Sequence, residues 1–193
     1  MRHAATRFPT VNHTPHAKKI LLGLVAIIAI ILVVAAFKSP DFRVERSLTI
    51  AAPPEALFGW FNSPKKFDEF NPWLKLDPTA KTEYTGPEAG VDAVATWAGK
   101  ATGKGKATII ESKPNELIRL RMDWIEPMEG VSTVDYSFKP DGDKTTVTWS
   151  MYGKSNFMGR LMSIFMDCDS MCGTQFEKGL ADLDKLVTST PVK

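Results

Sequence analysis

The pattern of apolar positions divides the chain into one uninterrupted apolar run and a longer region in which apolar and polar residues alternate. The run, Ile20 to Phe37, contains no charge, no proline and no strongly polar side chain. As a helix it would be roughly 27 Å long, close to the roughly 30 Å hydrocarbon core of a bilayer. Lys18, Lys19 and Lys38 flank it, where lysine side chains can extend to the lipid headgroups. The pattern predicts one transmembrane helix over residues 20–37.

A cleaved signal peptide is the alternative interpretation of the same segment. Val34-Ala35-Ala36 could serve as a small-residue cleavage site, and the basic residues upstream suit the start of a signal peptide. The apolar core of a signal peptide, however, is typically about 7–15 residues long, and this run is longer and rich in Ile, Leu and Val. These features favour an uncleaved anchor.

The charge distribution around the run indicates an orientation. Arg2, Arg7, Lys18 and Lys19 precede it, and all 22 acids of the chain lie after residue 40. Nineteen of the 24 basic residues also lie after residue 40, so the soluble part carries a small net negative charge. Basic segments tend to stay in the cytoplasm. We therefore expect a basic tail, residues 1–19, inside and the soluble domain outside the cytoplasm.

After a linker over residues 38–41, the period of the apolar positions changes to two, which is typical of half-buried strands. Phe42 to Ile50 is the first such run, and a helix is predicted from Pro53-Pro54 to Ser63-Pro64 because proline suits a first helical turn. Short turns between the later runs predict an antiparallel meander. These runs are Val91 to Trp97, Lys104 to Glu111, Ile118 to Trp124, Val134 to Phe138 and Thr145 to Met151, with a possible sixth at Lys81 to Tyr84.

The end of the domain has a helical period. Phe176, Leu180, Leu183 and Val187 form one apolar stripe, and Gly173 marks a point where the helix could kink. Projected backwards, the stripe adds Cys172, Asp169, Phe165, Met162 and Met158. A curved antiparallel sheet has to bury one face, and the long helix is its obvious cover. We expect an α+β domain over residues 42–188 with an apolar cavity between sheet and helix, followed by a tail over residues 189–193.

Several classes of function are disfavoured by composition. The three histidines, His3, His13 and His16, all precede the apolar run, so the soluble domain has no histidine for a catalytic triad, a zinc site or general base catalysis. No GxGxxG and no P-loop occurs in the sequence. The slightly negative net charge argues against nucleic-acid binding. We therefore expect no nucleotide cofactor, no metal and no nucleic-acid partner.

The two cysteines, Cys168 and Cys172, lie one helical turn apart, a spacing that is poor for a disulfide. Two small buried side chains are the favoured interpretation. A soft-metal or redox site is the alternative, because thiolates and thioethers suit Cu(I) and four methionines lie nearby. These methionines are Met158, Met162, Met166 and Met171.

The order of elements and several stretches of sequence resemble the SRPBCC, or polyketide-cyclase/dehydrase-like, branch of the START-like superfamily. The matching stretches, within residues 42–187, are VERSLTIAAPPEALFGWF, NPW at 71–73, WAGKATGKGKATI, the turn at Pro114, TTVTWSM and FEKGLADLDKLV. The resemblance implies the helix-grip fold, in which a sheet of six or seven strands wraps around the C-terminal helix. It also implies a pocket for a lipid or another apolar small molecule. Bacterial versions carry an N-terminal anchor, which implies a single-pass protein of a bacterial inner membrane.

Inward strand positions and the helix stripe supply the candidate pocket residues. They are Trp97, Leu120, Met122, Trp124, Tyr136, Trp149, Met162, Phe165 and Phe176. Ordinary core packing is the alternative role for each of them. Phe67, Phe70 and Trp73 could line an entrance to the pocket or anchor their loop. Arg46, in the apolar phase of the first strand, is expected either to reach solvent at the edge of the sheet or to place a charge in the cavity.

Asp169 is the candidate catalytic residue, because an acid buried in the cavity would have a raised pKa. The alternative is an exposed Asp169, or one paired with a strand Arg or Lys. Three functions therefore remain open: a membrane-tethered domain that binds a lipid-like ligand, a cofactor-independent enzyme of the cyclase or dehydrase type, and a protein-interaction module whose cavity is filled by side chains.

Overall fold

The computed structural model describes residues 15–189, which fall into two compact units. The boundary between them in the chain lies between Lys38 and Ser39. The first unit is helix α1, Pro15–Phe37. Within residues 15–189, its segment Lys18–Phe37 is the one helix long and apolar enough to cross a membrane. Most of the predicted basic tail, and all but the first residue of the predicted C-terminal tail, lie outside the described residues.

The second unit contains a seven-stranded antiparallel sheet with the strand order β1-β7-β6-β5-β4-β3-β2. Apart from β1, consecutive strands are neighbours, as expected for a meander with short turns. The strands are β1 Asp41–Ile50, β2 Lys81–Thr85, β3 Val94–Gly99, β4 Gly103–Lys113, β5 Leu117–Glu126, β6 Gly130–Asp141 and β7 Lys144–Lys154. The predicted sheet, including its possible extra strand, is therefore confirmed.

Helices connect β1 to β2 and follow β7. They are α2 Pro54–Phe61, α3 Pro64–Phe67, α4 Pro72–Leu76, α5 Phe157–Met162 and α6 Cys168–Ser189. Proline occupies the first turn of α2, α3 and α4, where the absence of its N–H costs nothing. The Asn71 side chain accepts a hydrogen bond from the Trp73 backbone N–H over 3.1 Å and so caps α4. The fold is the helix-grip fold, with α6 as the long C-terminal helix.

The C-terminal helical region differs from the continuous stripe predicted from Met158 to Val187. It breaks between Met162 and Cys168, because Asp167 caps a new helix: its carboxylate accepts hydrogen bonds from the Asp169 N–H and the Ser170 hydroxyl. Gly173, the predicted kink, lies inside the uninterrupted α6.

Gly173 leaves room for the Arg46 side chain between α6 and β1. A Cβ atom at this position would overlap the guanidinium of Arg46, which lies against the helix backbone. Gly179, two turns later, has the same role towards the ring of Trp149 on β7 and towards Pro72. The α6 backbone therefore lies close to Arg46 of β1 and to the Trp149 ring of β7.

Candidate functional site

A cavity of about 310 Å³ lies between the concave face of the sheet and the helices. Inward positions of β2 to β7 form one wall, and residues of α2 to α4 and of α6 form the other. Seven of the nine predicted pocket residues line it: Trp97, Leu120, Met122, Trp124, Tyr136, Trp149 and Phe176. Strand alternation accounts for this, because every second side chain points to the same face.

The deep end of the cavity is a cluster of aromatic rings around Trp149. The Trp149 ring stacks on Phe176 with centroids 4.4 Å apart and an interplanar angle of 10°. Trp73 and Tyr136 contact the same indole at 5.6 Å and 5.2 Å. Trp149 and Phe176 are almost completely buried. We call this set, together with Phe61 and Phe67, the aromatic end; its mutual contacts make it a rigid apolar surface.

The opposite end of the cavity is formed by Trp97 and Trp124, whose rings meet edge to face at 5.6 Å. Gly105 makes this possible, because a Cβ atom there would overlap the Trp97 ring. The Trp124 indole N–H donates to the Ser132 hydroxyl over 2.9 Å. Two further lining residues, Ala101 and Thr102, are exposed and half-buried, so the cavity reaches the surface here. We call this the open end.

The buried carboxylate of Asp77 holds the β3–β4 turn in place at the open end. It accepts hydrogen bonds from the Thr79 hydroxyl and from the Ala101 backbone N–H, both over 2.7 Å, and from the Thr102 N–H over 3.3 Å. These donors stabilise the ionised form and lower the pKa of Asp77 to about 2, the Thr79 hydroxyl having the largest effect.

A polar spot formed by Tyr136 and Asp68 interrupts the mostly apolar lining. The Tyr136 side chain is only 4% exposed, and within residues 15–189 its hydroxyl has no hydrogen-bond partner. Burial, and secondarily the charge of Asp68, raise its pKa well above the usual value, so the hydroxyl stays protonated. Asp68 also lines the cavity and accepts hydrogen bonds from Asn71 (2.8 Å) and Tyr84 (2.5 Å). The spot therefore offers a free hydroxyl next to a carboxylate that already has partners.

The family follows from comparison of the sequence with known families. Residues 41–188 match the sequence model of the family described as polyketide cyclase / dehydrase and lipid transport. The chain belongs to this family. No curated protein sequence matches the chain.

Solved structures share the fold of this family member at low sequence identity. Protein MLL2253 from Mesorhizobium loti is 16% identical, with a TM-score of 0.58 over 78% of this chain and 100% of its own. Protein CV1439 from Chromobacterium violaceum is 18% identical, with a TM-score of 0.55 over 77% and 96%. Truncated norcoclaurine synthase from Thalictrum flavum is 16% identical, with a TM-score of 0.58 over 81% and 98%. At these identities the likeness shows the fold.

The two remaining predicted pocket residues lie elsewhere in this polyketide cyclase / dehydrase and lipid transport domain. Met162 ends α5 and Phe165 lies in the connection to α6; both are exposed, and neither lines the cavity. The break between α5 and α6 accounts for this, because the helical stripe does not continue through it. Of the three candidate entrance residues, Phe67 and Trp73 line the cavity, whereas Phe70 is buried in the core.

The candidate catalytic residue, Asp169, lies outside the cavity lining, and its side chain is 55% exposed. Its carboxylate pairs with Arg46 over 2.9 Å, and Arg46 also bonds Glu177 over 2.7 Å. The hydrogen bond with Arg46 is the main cause of its lowered pKa. Asp169 is thus an ionised partner of a strand arginine, which is the alternative that the sequence left open.

The two cysteines contact each other at the start of α6. Cys172 is half-buried and lines the cavity, whereas Cys168 is exposed. The hydrogen bond with Cys168, and then burial, raise the pKa of the Cys172 thiol. Within residues 15–189, no group of three or more His, Cys, Asp or Glu side chains is placed to hold a metal.

Sequence reasoning missed the polar spot. Asp68, Asn71 and Tyr84 come from a helix end, a loop and an edge strand, and no spacing rule connects them. The only sequence signal was Asn71-Pro72-Trp73, which indicated a turn and not the contact between the Asn71 amide and Asp68.

Proposed function

We propose that the protein is a membrane-anchored domain that binds one hydrophobic small molecule or lipid in the cavity between its sheet and α6. We further propose that α1 anchors it in a bacterial inner membrane, with the binding domain outside the cytoplasm. The observation that supports binding most strongly is a cavity of about 310 Å³ lined almost entirely by apolar and aromatic side chains. A domain that served only for protein interaction would fill this space with side chains.

Cavity size and polarity narrow the class of ligand. The volume lies at the lower end of the range of about 300–1,000 Å³ seen for small-molecule sites, which favours a single-chain or ring compound over a two-chain phospholipid. The unpartnered Tyr136 hydroxyl can donate to one oxygen of the ligand. The neighbouring Asp68 carboxylate would repel an anion. We therefore propose a largely apolar ligand with one neutral oxygen function, such as a ketone, alcohol or ester.

The test is native mass spectrometry of the full chain, purified in a mild detergent, followed by organic extraction of what travels with it. A matched pair of variants on β3 controls for specificity. Ala95 lines the cavity and Ala98, on the same strand, is exposed and does not line it. Ala95→Phe should therefore occupy the cavity, whereas Ala98→Phe should leave it open.

One apolar molecule per chain in the wild type and in Ala98→Phe, with most of it lost in Ala95→Phe, would support the proposal. A chain that is empty on purification and takes up no fluorescent apolar probe would overturn it. Equal retention in all three proteins would also count against this cavity as the site.

A further inference from the structure

Exposed apolar side chains gather at the end of the sheet where the chain enters the domain. The strand register defines this end: Asp41 pairs with Lys154, Gly153 with Ser132, and Gly130 with Trp124. The first residues of β1 and β6 and the last of β5 and β7 therefore lie side by side. Two turns of the meander, β3–β4 and β5–β6, are at the same end. We call it the linker end.

Five large apolar side chains at this end each expose between 42% and 50% of their surface. They are Ile125, Met128, Val131, Phe157 and Met158, and we call them the linker-end patch. The first three belong to the β5–β6 hairpin and the last two to the first turn of α5. The Asn156 amide donates to the Glu129 carbonyl over 3.5 Å, so the two segments are neighbours. Exposed apolar clusters on a folded domain mark interaction surfaces.

The length of the linker limits how far this patch can be from the end of α1. Only Lys38, Ser39 and Pro40 separate α1 from β1, and three extended residues span roughly 10 Å. Pro40 is already held by the domain, since its carbonyl accepts a hydrogen bond from the Ser155 N–H over 2.8 Å. Ser155 lies two residues before α5, which begins with Phe157 of the patch. If α1 spans a bilayer, the start of β1 lies within roughly 10 Å of its end, and the patch belongs to the same end of the sheet as the start of β1.

The composition of the patch fits a lipid surface. Burial of Met, Phe, Ile and Val side chains at the boundary between lipid headgroups and acyl chains lowers the free energy. The flexible Met side chain also adapts to an irregular surface. The charged residues at this end are of both signs: Lys100, Lys104 and Lys154 against Asp41, Glu126 and Glu129. An attraction that depends on anionic lipid is therefore not expected.

We propose that the linker-end patch docks on the surface of the phospholipid bilayer that holds α1. Ligand would then pass directly between the bilayer and the cavity. The open end of the cavity supports this, because Trp124 belongs to the same strand end as Ile125, and Ala101 and Thr102 lie in the neighbouring β3–β4 turn. The inference rests on the proposed membrane anchor and adds the surface by which the domain meets the membrane.

The test uses spin labels on the full chain, reconstituted in phosphatidylcholine nanodiscs, with both native cysteines replaced by serine. Labels at Met128→Cys and Phe157→Cys report the patch, and one at Asp143→Cys, in the β6–β7 turn at the other end of the sheet, is the matched control. A fourth label, at Ile28→Cys, reports the proposed span. Power saturation compares access by oxygen, which enters lipid, with access by a water-soluble nickel complex.

We expect the oxygen-to-nickel ratio at residues 128 and 157 to exceed the ratio at residue 143 severalfold, in phosphatidylcholine alone and in high salt. Equal ratios at the three positions, with a lipid-exposed label at residue 28, would overturn the docking surface and leave the anchor standing. A water-exposed label at residue 28 would overturn the anchor itself. Labels at 128 and 157 that are shielded from both reagents would indicate a protein contact, such as a second copy, and would also overturn docking on lipid.

Discussion

The aromatic end and the open end of the cavity are built in opposite ways. At the aromatic end, Trp149 and Phe176 are fully packed, with α6 held against them by the space that Gly179 leaves. At the open end, Trp97 and Trp124 are only half-buried and are supported by turns and not by a long helix. The difference teaches that the packing of a long helix fixes the aromatic end, whereas the open end depends on the hydrogen bonds of one buried carboxylate, Asp77, to the β3–β4 turn.

The largest expected effect is on the free energy of unfolding, which should fall more after a substitution at the aromatic end than after one towards the open end. Phe176→Ala should lower the free energy of unfolding by about 3–5 kcal/mol, because it removes a buried ring from the stack on Trp149. Met122→Ala, in the lining towards the open end, should cost only roughly 1 kcal/mol because Met122 is already partly exposed. Urea titration of the full chain in detergent, followed by near-UV circular dichroism, measures both. Equal losses would mean that the two ends do not differ in packing.

The next effect concerns the polar spot. A substitution there should change the affinity for the ligand and leave the free energy of unfolding nearly unchanged. Tyr136→Phe should weaken ligand binding roughly two- to tenfold, the value of one net hydrogen bond of about 0.5–1.5 kcal/mol. The free energy of unfolding should change little, since the hydroxyl has no protein partner within residues 15–189. Tyr152→Phe is the control, because its hydroxyl bonds Asp135 and does not line the cavity. Unchanged affinity for the extracted ligand in Tyr136→Phe would remove the polar group from the proposed ligand.

A pH titration sharpens the comparison at the open end. The pKa of Asp77 is lowered to about 2 in the folded protein, so this carboxylate stabilises the β3–β4 turn above its unfolded pKa, near 4. The stabilisation should therefore be lost as the pH falls from about 4 through 2. Hydrogen exchange at Ala101 and Thr102 should accelerate in that window relative to Trp149.

Asp77→Asn is the control for this titration. It removes the titrating group, so exchange at the β3–β4 turn should be faster already at neutral pH and should lose its acid dependence. A turn in the wild type that stays protected down to pH 2 would show that Asp77 is not what holds it.

The smallest effect is expected from Asp169→Asn. The side chain is mostly exposed and lies outside the cavity lining, so affinity for the extracted ligand should change less than twofold. Isothermal titration with that ligand measures it, with Tyr136→Phe in the same series as the positive reference. A large loss of affinity would restore Asp169 to the site.

The sheet and much of the cavity could be predicted from alternation alone, because strand geometry assigns every second residue to one face. Leu120, Met122 and Trp124 illustrate this: one strand pattern places all three in the lining. The prediction of one continuous helical stripe was wrong at Met162 and Phe165. Near them, Asp167 caps a new helix although the apolar stripe of the sequence is unbroken. Stripe periodicity carries no information about such a break, although Asp167 is of a residue type that favours the N-cap of a helix.

The polar spot was beyond sequence reasoning for a different reason. The hydrogen bond between Asp68 and Tyr84 joins the end of α3 to β2, and the rings of Phe61, Phe67 and Phe70 pack on one another. Each of these rings was recognisable as apolar. Which of them would face the cavity and which the core depends on helix angles that no local pattern encodes.

The position of Arg46 has a mechanical consequence. It bridges the edge strand β1 to α6 through Asp169 and Glu177, and Gly173 leaves room for it. A pulling force on Asp41 would act first on β1. Both the ten-residue pairing of β1 with β7 and the Arg46 bridge to α6 would resist it. A force that the proposed anchor exerted at Asp41 would therefore also act on α6, the helix that covers the cavity.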